Sequence, residues 1–171
     1  GYATDRARII LQQHGVRSAI IAAGGNIFTL GPRPDGQKWR IGIRHPRPER
    51  GSEVLAVIPN QDWTLVTSGD YERYFVKDNV RYHHIFDPRV GWPAGELISA
   101  TIITQNSAEA DILSTAVFVL GPKKGSSLAT QVGVIQVVMM TPDFKVFTAG
   151  EELPEMEFVN EEGYSIGDAG R

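Results

Sequence analysis

Three oxygen-bearing side chains stand close together in the segment 108–121, AEADILSTAVFVLG: Asp111, Ser114 and Thr115. On a helix, Asp111 and Thr115, at i and i+4, face the same way, and Ser114, at i+3, lies beside them. Ile112, Leu113, Val117, Val119 and Leu120 around them are core-forming residues. A carboxylate in such company must be hydrated, paired or bound to a metal. One carboxylate with hydroxyls is a poor transition-metal site. It suits Mg²⁺, which takes oxygen ligands and keeps positions for water and phosphates. An Asp that caps the helix or sits in a salt bridge accounts for the same residues.

A second set is Tyr82-His83-His84-Ile85-Phe86-Asp87-Pro88. Histidine accepts a proton near neutral pH, and His84 and Asp87 fall at a strand-to-turn junction, where site residues concentrate. The plainer reading is a core or surface histidine and an Asp that caps a turn before Pro88. Neither histidine has a partner at zinc-ligand spacing. Gly24-Gly25-Asn26 and Ser68-Gly69-Asp70 are polar, glycine-bearing turns whose backbone could approach a phosphate; either is equally a simple hairpin turn. Neither matches a phosphate-loop or dinucleotide fingerprint. Arg44, Arg47 and Arg50 crowd one loop, either as a solvated basic segment or as a phosphate clamp.

The elements that must position these groups follow from periodicity and turn chemistry. Residues 3–14 predict an amphipathic helix with Ala3, Ala7, Ile10 and Leu11 on one face, capped by Thr4 or Asp5 and ended by Gly15. Ser18–Ala23 predicts a short buried strand, turned at Gly24-Gly25-Asn26 into Ile27–Leu30. Further strands are expected at Trp39–Arg44, Glu53–Ile58, Trp63–Thr67, Tyr74–Lys77, Arg81–Phe86 and Leu97–Thr104. Ser68–Tyr71 breaks the pattern, and Asp78-Asn79 is a hairpin turn. Asn106 with Glu109 fits a capping box at the start of a helix that runs to Leu120. Gly121-Pro122 stops it, and a shorter helix covers Lys124–Gln131. Gly133–Met140 and Lys145–Thr148 form a last hairpin. From Glu151 the chain is acidic, with six Glu and one Asp before Arg171, and reads as a disordered or docked extension. Hairpin-forming strands with two main helices make an α+β fold with an antiparallel sheet.

The chain has 171 residues, 42% hydrophobic and 22% charged, which fits one domain with a sizeable core. Its net charge of −3 argues against nucleic-acid binding through a broad basic field. With no cysteine there is no disulfide, thiolate metal site or cysteine nucleophile. No apolar run approaches the ~18 residues of a membrane helix, and no signal peptide is visible. The sequence opens Gly1-Tyr2-Ala3, without an initiator Met.

The order of six blocks along the chain resembles the ApbE family of FAD:protein FMN transferases. They are Gly1-Tyr2-Ala3-Thr4-Asp5-Arg6, Gly24-Gly25-Asn26-Ile27, Trp39-Arg40-Ile41-Gly42-Ile43, Thr67 to Phe75 (TSGDYERYF), His84-Ile85-Phe86-Asp87-Pro88, and Ala110 to Gly121 (ADILSTAVFVLG). The resemblance covers residues 1 to about 150 and implies the C-terminal part of such an enzyme, followed by an acidic extension, 151–171. It implies that FAD and Mg²⁺ bind, that a threonine or serine hydroxyl of an acceptor protein attacks the FMN-side phosphorus, and that AMP leaves. Hydrolysis of FAD to FMN and AMP, or FAD binding without turnover, are the alternatives.

By the same resemblance, Asp111, Ser114 and Thr115 are metal ligands, joined by the carbonyl of Ala3. His84 rather than His83 is the base that deprotonates the attacking hydroxyl. Arg6 and the backbone of Phe86 contact the flavin nucleotide, with Ser68, Gly69 and Asp87 in the same role. The acceptor in this family is often a subunit of a membrane redox complex, and many members are exported lipoproteins. Two departures stand out: the family's flavin-binding residues upstream of Gly1 are absent from this sequence, and its Asp-Pro-x-Thr-Gly turn reads Asp87-Pro88-Arg89-Val90-Gly91 here. The expectation is a chain that packs against a second polypeptide or segment supplying the missing half.

Overall fold

The computed structural model describes residues 1–50, 53–150, 155–159 and 164–168. Its fold is three layers deep: two helices, a seven-stranded sheet and a three-stranded sheet. Helix α1 (Tyr2–Gln13) leads into the hairpin β1 (Ala19–Ala23) and β2 (Asn26–Leu30). β3 (Trp39–Arg44) and β4 (Val54–Asn60) pair with each other, whereas β5 (Thr64–Gly69), directly after β4, crosses into the large sheet. β6 (Tyr74–Lys77) and β7 (Val80–His83) form a separate hairpin, as do β8 (Phe86–Asp87) and β9 (Trp92–Pro93). Then come β10 (Ser99–Thr104), α2 (Ser107–Val132), β11 (Gln136–Met140) and β12 (Lys145–Ala149). In the acidic segment, β13 (Glu157–Phe158) pairs with β4 and β14 (Ser165–Asp168) lies parallel to β12. The order of the large sheet is β1-β2-β5-β10-β11-β12-β14, antiparallel except at β14. This is the α+β architecture that the alternation implied.

β10 explains the layering. Every one of its residues is buried: Ile102 packs with Val117 and Phe118 of α2, and its neighbour Ile103 packs with Ile58 and Leu55 of the small sheet. Successive side chains point to opposite faces, so a strand covered on both sides reads as a continuous apolar run. β5 shows the same division beside it. Val66 pairs across from Ile102 and Leu65 from Ile103.

Several details depart from the sequence reading. β1 is half exposed rather than buried, with Ile20 46% exposed, because it is an edge strand. On α1, Ala3 and Ile10, assigned to the inward face, lie exposed, and only Thr4 is fully buried; the helix rests on the β1–β2 edge and the start of α2 rather than on a broad sheet. Neither Thr4 nor Asp5 caps α1, whose N-cap is Gly1 without a side-chain bond. Ser68 and Gly69 do not break the strand pattern; they pair with β10, and the ladder holds to the end of β5. The strand expected over Arg81–Phe86 is split, because His83 turns inward and the chain re-pairs at β8. The docked form of the acidic extension holds for β13 and β14; the remainder of 151–171 lies outside the described residues.

Candidate functional site

α2 delivers the acid and hydroxyl groups, and its start is tightly secured. Asn106 Oδ1 accepts from Glu109 N at 3.0 Å, the bond expected of its cap. The two N–H groups ahead of it, of Ser107 and Ala108, donate to the carboxylate of Asp5 from α1 at 3.1 and 2.9 Å. Ser107 Oγ donates to Thr64 Oγ1 of β5 at 3.0 Å. The helix breaks where the sequence indicated. Gly121 has φ 76° and ψ −179°, and helix resumes from Pro122, a residue suited to a first helical position.

One turn into α2 the predicted groups meet. Ser68 Oγ lies 2.9 Å from Ser114 Oγ and 3.2 Å from Thr115 Oγ1. Ser114 donates to the Asp111 carbonyl at 3.1 Å, and Thr115 Oγ1 lies 3.5 Å from the same oxygen. The Asp111 side chain is 50% exposed, and the Gly1 nitrogen donates to its Oδ2 at 2.7 Å. Ala3 and Arg6 follow on the first turns of α1, both exposed. β5 and α2 therefore bring the hydroxyls of Ser68, Ser114 and Thr115 together, whereas the Asp111 carboxylate, one turn earlier on α2, meets the start of α1 at Gly1, two residues before Ala3. Gly69 continues from Ser68 against Tyr71, whose ring atom Cε1 is only 2.4 Å from where a Gly69 Cβ would stand. Asp111, Ser114 and Thr115 offer one carboxylate and two hydroxyls, all hard oxygens, which fit Mg²⁺ better than a softer ion. Among the described residues no group of three or more His, Asp and Glu is placed to hold a metal.

The two histidines separate. His83 is buried. Its Nδ1 accepts from Ile85 N at 3.3 Å, so its Nε2 carries the proton and donates to Ala94 O at 2.9 Å; its ring stands edge-on to Phe118, centroids 5.4 Å apart. His84 is exposed, and its N–H donates to Arg73 O at 3.1 Å, extending the β6–β7 pairing. Phe86 is 55% exposed on β8. The Asp87 carboxylate accepts from Arg89 N at 2.9 Å and from its guanidinium at 2.6 to 3.1 Å, and the Arg89 guanidinium holds its pKa down to about 2. The Asp87–Gly91 turn forms with Val90 in place of a threonine: Val90 N and Gly91 N both donate to Asp87 O.

The arginine-rich loop is not a free phosphate clamp. Arg44 stacks over the Tyr71 ring, 5.5 Å from its centroid, and Arg47 forks Asp70; the side chain of Arg50 lies outside the described residues. Gly24 and Gly25, both at positive φ, make the hairpin turn between β1 and β2. Sequence reasoning missed the roles of Asp5, Thr64 and Asp70. Each acts across 23 or more residues of chain, and no local signal announces such a contact. Two surface clefts lie away from the oxygen cluster. One, of about 270 Å³, is lined by Arg44, Pro48 and Glu53, and the other, of about 410 Å³, by Gln12, Arg17 and Asp62.

Residues 1–139 match the ApbE family. The chain is 37% identical over 155 residues to the FAD:protein FMN transferase of Treponema pallidum, covering 85% of this chain and 42% of that protein. It is 40% identical over 142 residues to one from Klebsiella pneumoniae, covering 82% and 43%. Among solved structures, the ApbE protein of Thermotoga maritima superposes with a TM-score of 0.76 at 35% identity, covering 95% of this chain and 49% of that one. The flavin transferase ApbE of Vibrio cholerae superposes with a TM-score of 0.71 at 32% identity, covering 82% and 44%. The chain thus spans somewhat under half the length of these relatives. On the order of its sequence blocks, its fold and these matches, the chain belongs to the ApbE family.

Proposed function

We propose that this chain forms part of an enzyme that transfers FMN from FAD to a threonine or serine hydroxyl of an acceptor protein, with Mg²⁺ as cofactor and AMP as leaving group. The observation that carries this reading is the contact of the Ser68 hydroxyl with those of Ser114 and Thr115, on the helix that bears Asp111 one turn earlier, in a family whose relatives are named FAD:protein FMN transferase. Mg²⁺, held by Asp111, Ser114, Thr115 and the Ala3 carbonyl, would neutralise phosphate charge. His84, exposed at the end of the β6–β7 pairing, takes the proton of the acceptor hydroxyl. The hydroxyl oxygen forms a bond to the FMN-side phosphorus, the bond from that phosphorus to the bridging oxygen breaks, and the bridging oxygen departs with AMP. Ser68, the Gly69 backbone and Arg6 bind the phosphates. Asp87, tied to Arg89, shapes the turn that presents the Phe86 backbone to the flavin nucleotide.

Asp111 and Thr115 lie at the surface beside the buried Ser114, and apolar side chains stand uncovered at Tyr2, Ile10 and Ile20 and along the 74–92 segment, at Phe75, Val76 and Trp92. These observations support a flavin pocket whose remaining walls come from a second segment or polypeptide. The acceptor, in this reading, is a protein such as a subunit of a membrane redox complex. Incubation of the complete protein with FAD, Mg²⁺ and an acceptor domain tests the reaction. Flavin fluorescence that stays on the acceptor in a denaturing gel is the expected result. Free FMN and AMP without labelled acceptor would mean an FAD pyrophosphatase, and bound, unchanged FAD a flavin-binding subunit. Asp111→Ala should abolish the Mg²⁺-dependent rate; an unchanged rate would place the metal elsewhere.

A further inference from the structure

Asp70 is a buried carboxylate on which three parts of the fold converge. Arg47, in the loop after β3, forks it, with Nη1 to Oδ1 at 2.8 Å and Nη2 to Oδ2 at 2.6 Å. Arg81, on β7, brings Nε to within 3.9 Å of Oδ2. The Asp70 N–H donates to Ile98 O at 3.1 Å, just beyond the paired residues of β5 and β10. The side chains of Arg47 and Asp70 are only 16% and 7% exposed. A desolvated ion pair of this kind contributes little net stability, and an apolar pair of similar volume often serves as well or better.

What the pair does have is position. Two residues before Asp70 is Ser68 of the oxygen cluster. Three residues after Arg81 is His84. The β6–β7 hairpin that leads to His84 is otherwise attached narrowly. β6 is exposed along its whole length, and β7 is anchored by His83 against Ala94 and Phe118 and by Tyr82, edge-on to Trp92 of β9 with centroids 5.6 Å apart. We infer that Asp70 is a positioning residue: it fixes the strand that leads to His84 against the strand end that carries Ser68 and Gly69, so that the base and the phosphate-binding groups address one point. This rests on the reading of His84 as the base.

The test uses the complete protein and the transfer assay, with folded fraction checked by thermal melting. Asp70→Asn keeps the side-chain volume and leaves Arg47 without its counter-charge. A displacement on the order of 1 Å at a reacting group costs roughly 100-fold in rate, and a loss of that order is expected for Asp70→Asn. In a His84→Ala background, its rate raised with free imidazole, the same change should cost less than about 3-fold, because the group it positions is gone. Arg81→Gln, at a partly exposed partner, should show the same pattern at roughly 10-fold and serves if Asp70→Asn does not fold. Equal losses in both backgrounds would mean a merely structural residue and would overturn the inference, as would full activity of the folded Asp70→Asn protein. Full activity of His84→Ala alone would instead overturn the reading of the base, whatever Asp70 does.

Discussion

Replacing Asp5 by Ala removes the group that closes the start of α2. In a helix whose N-cap is Asn106, the N–H groups of the first three residues have no partner within the helix. Here Glu109 N is served by Asn106, and Ser107 N and Ala108 N by Asp5. The Asp5 side chain is 13% exposed, so water has limited access to those two donors once the carboxylate is gone. A hydrogen bond to a charged group contributes about 1.5–3 kcal/mol, whereas loss of a helix cap measures about 0.5–2 kcal/mol. Two such bonds in a partly wet site give about 2–4 kcal/mol for Asp5→Ala. Asp5→Asn keeps one acceptor oxygen and loses a charge that contributes about 0.3–1 kcal/mol at a helix N-terminus, so it should cost about 1–2 kcal/mol. With a urea m-value of about 2 kcal/mol per molar, the Ala variant should unfold at a midpoint about 1–2 M lower by far-UV circular dichroism. Asn106→Ala, which strips a different donor, should cost about 1 kcal/mol. Because the two residues serve separate N–H groups, the double variant should lose close to the sum. An Ala variant within about 0.5 kcal/mol of the parent, the scatter of ordinary surface substitutions, would refute the claim that α1 caps α2.

The two histidines should behave oppositely: His83→Ala opens a cavity and orphans Ala94 O, lowering stability by about 2–4 kcal/mol, whereas His84→Ala should leave the urea midpoint within about 0.5 kcal/mol while cutting transfer to a residual rate that free imidazole raises. Gly121→Ala forces a side chain into a backbone region open essentially to glycine alone, at a cost of about 1–3 kcal/mol, and its Cβ would stand 2.0 Å from Glu96 Oε2; a thermal melt unchanged from the parent would refute this. Burial pushes the Tyr71 phenol up from 10.0 to about 12. Its contribution is therefore complete below pH 10 and is lost as pH rises through about 12, a swing of about 2–3 kcal/mol. Urea midpoints measured across that window should fall, and Tyr71→Phe should flatten the fall.

The features legible in the sequence are those fixed by a few adjacent residues. Asn106 and Glu109 marked the cap of α2, Gly121-Pro122 its break, and Asp78-Asn79, both at positive φ, the β6–β7 turn. β10 was legible because a strand covered on both faces must be apolar throughout. The i, i+4 spacing puts Asp111 and Thr115 on one face of α2, but no spacing or periodicity signalled that the Ser68 hydroxyl would reach Ser114, 46 residues away. Contacts set by packing were illegible for the same reason. Asp5 could be read only as a cap for its own helix, and the arginines near Arg47 only as solvated or phosphate-binding. β1 carries the apolar residues of a buried strand, and only the sheet order reveals it as an edge.

The interruption at Gly121 also divides α2 dynamically. Gly121 leaves the helical conformation and Pro122 has no N–H to give, so the hydrogen-bond ladder on one side of the break does not depend on the ladder on the other. Fraying that begins at Gly133 can stop there. The first segment, clasped by Asp5, Thr64 and the buried Val117 and Phe118, should exchange its amide protons only with opening of the main core, while the second segment exchanges through smaller local openings. The oxygen-bearing groups of the candidate site would then sit in the slowest-exchanging part of the helix, insulated from motion at its far end.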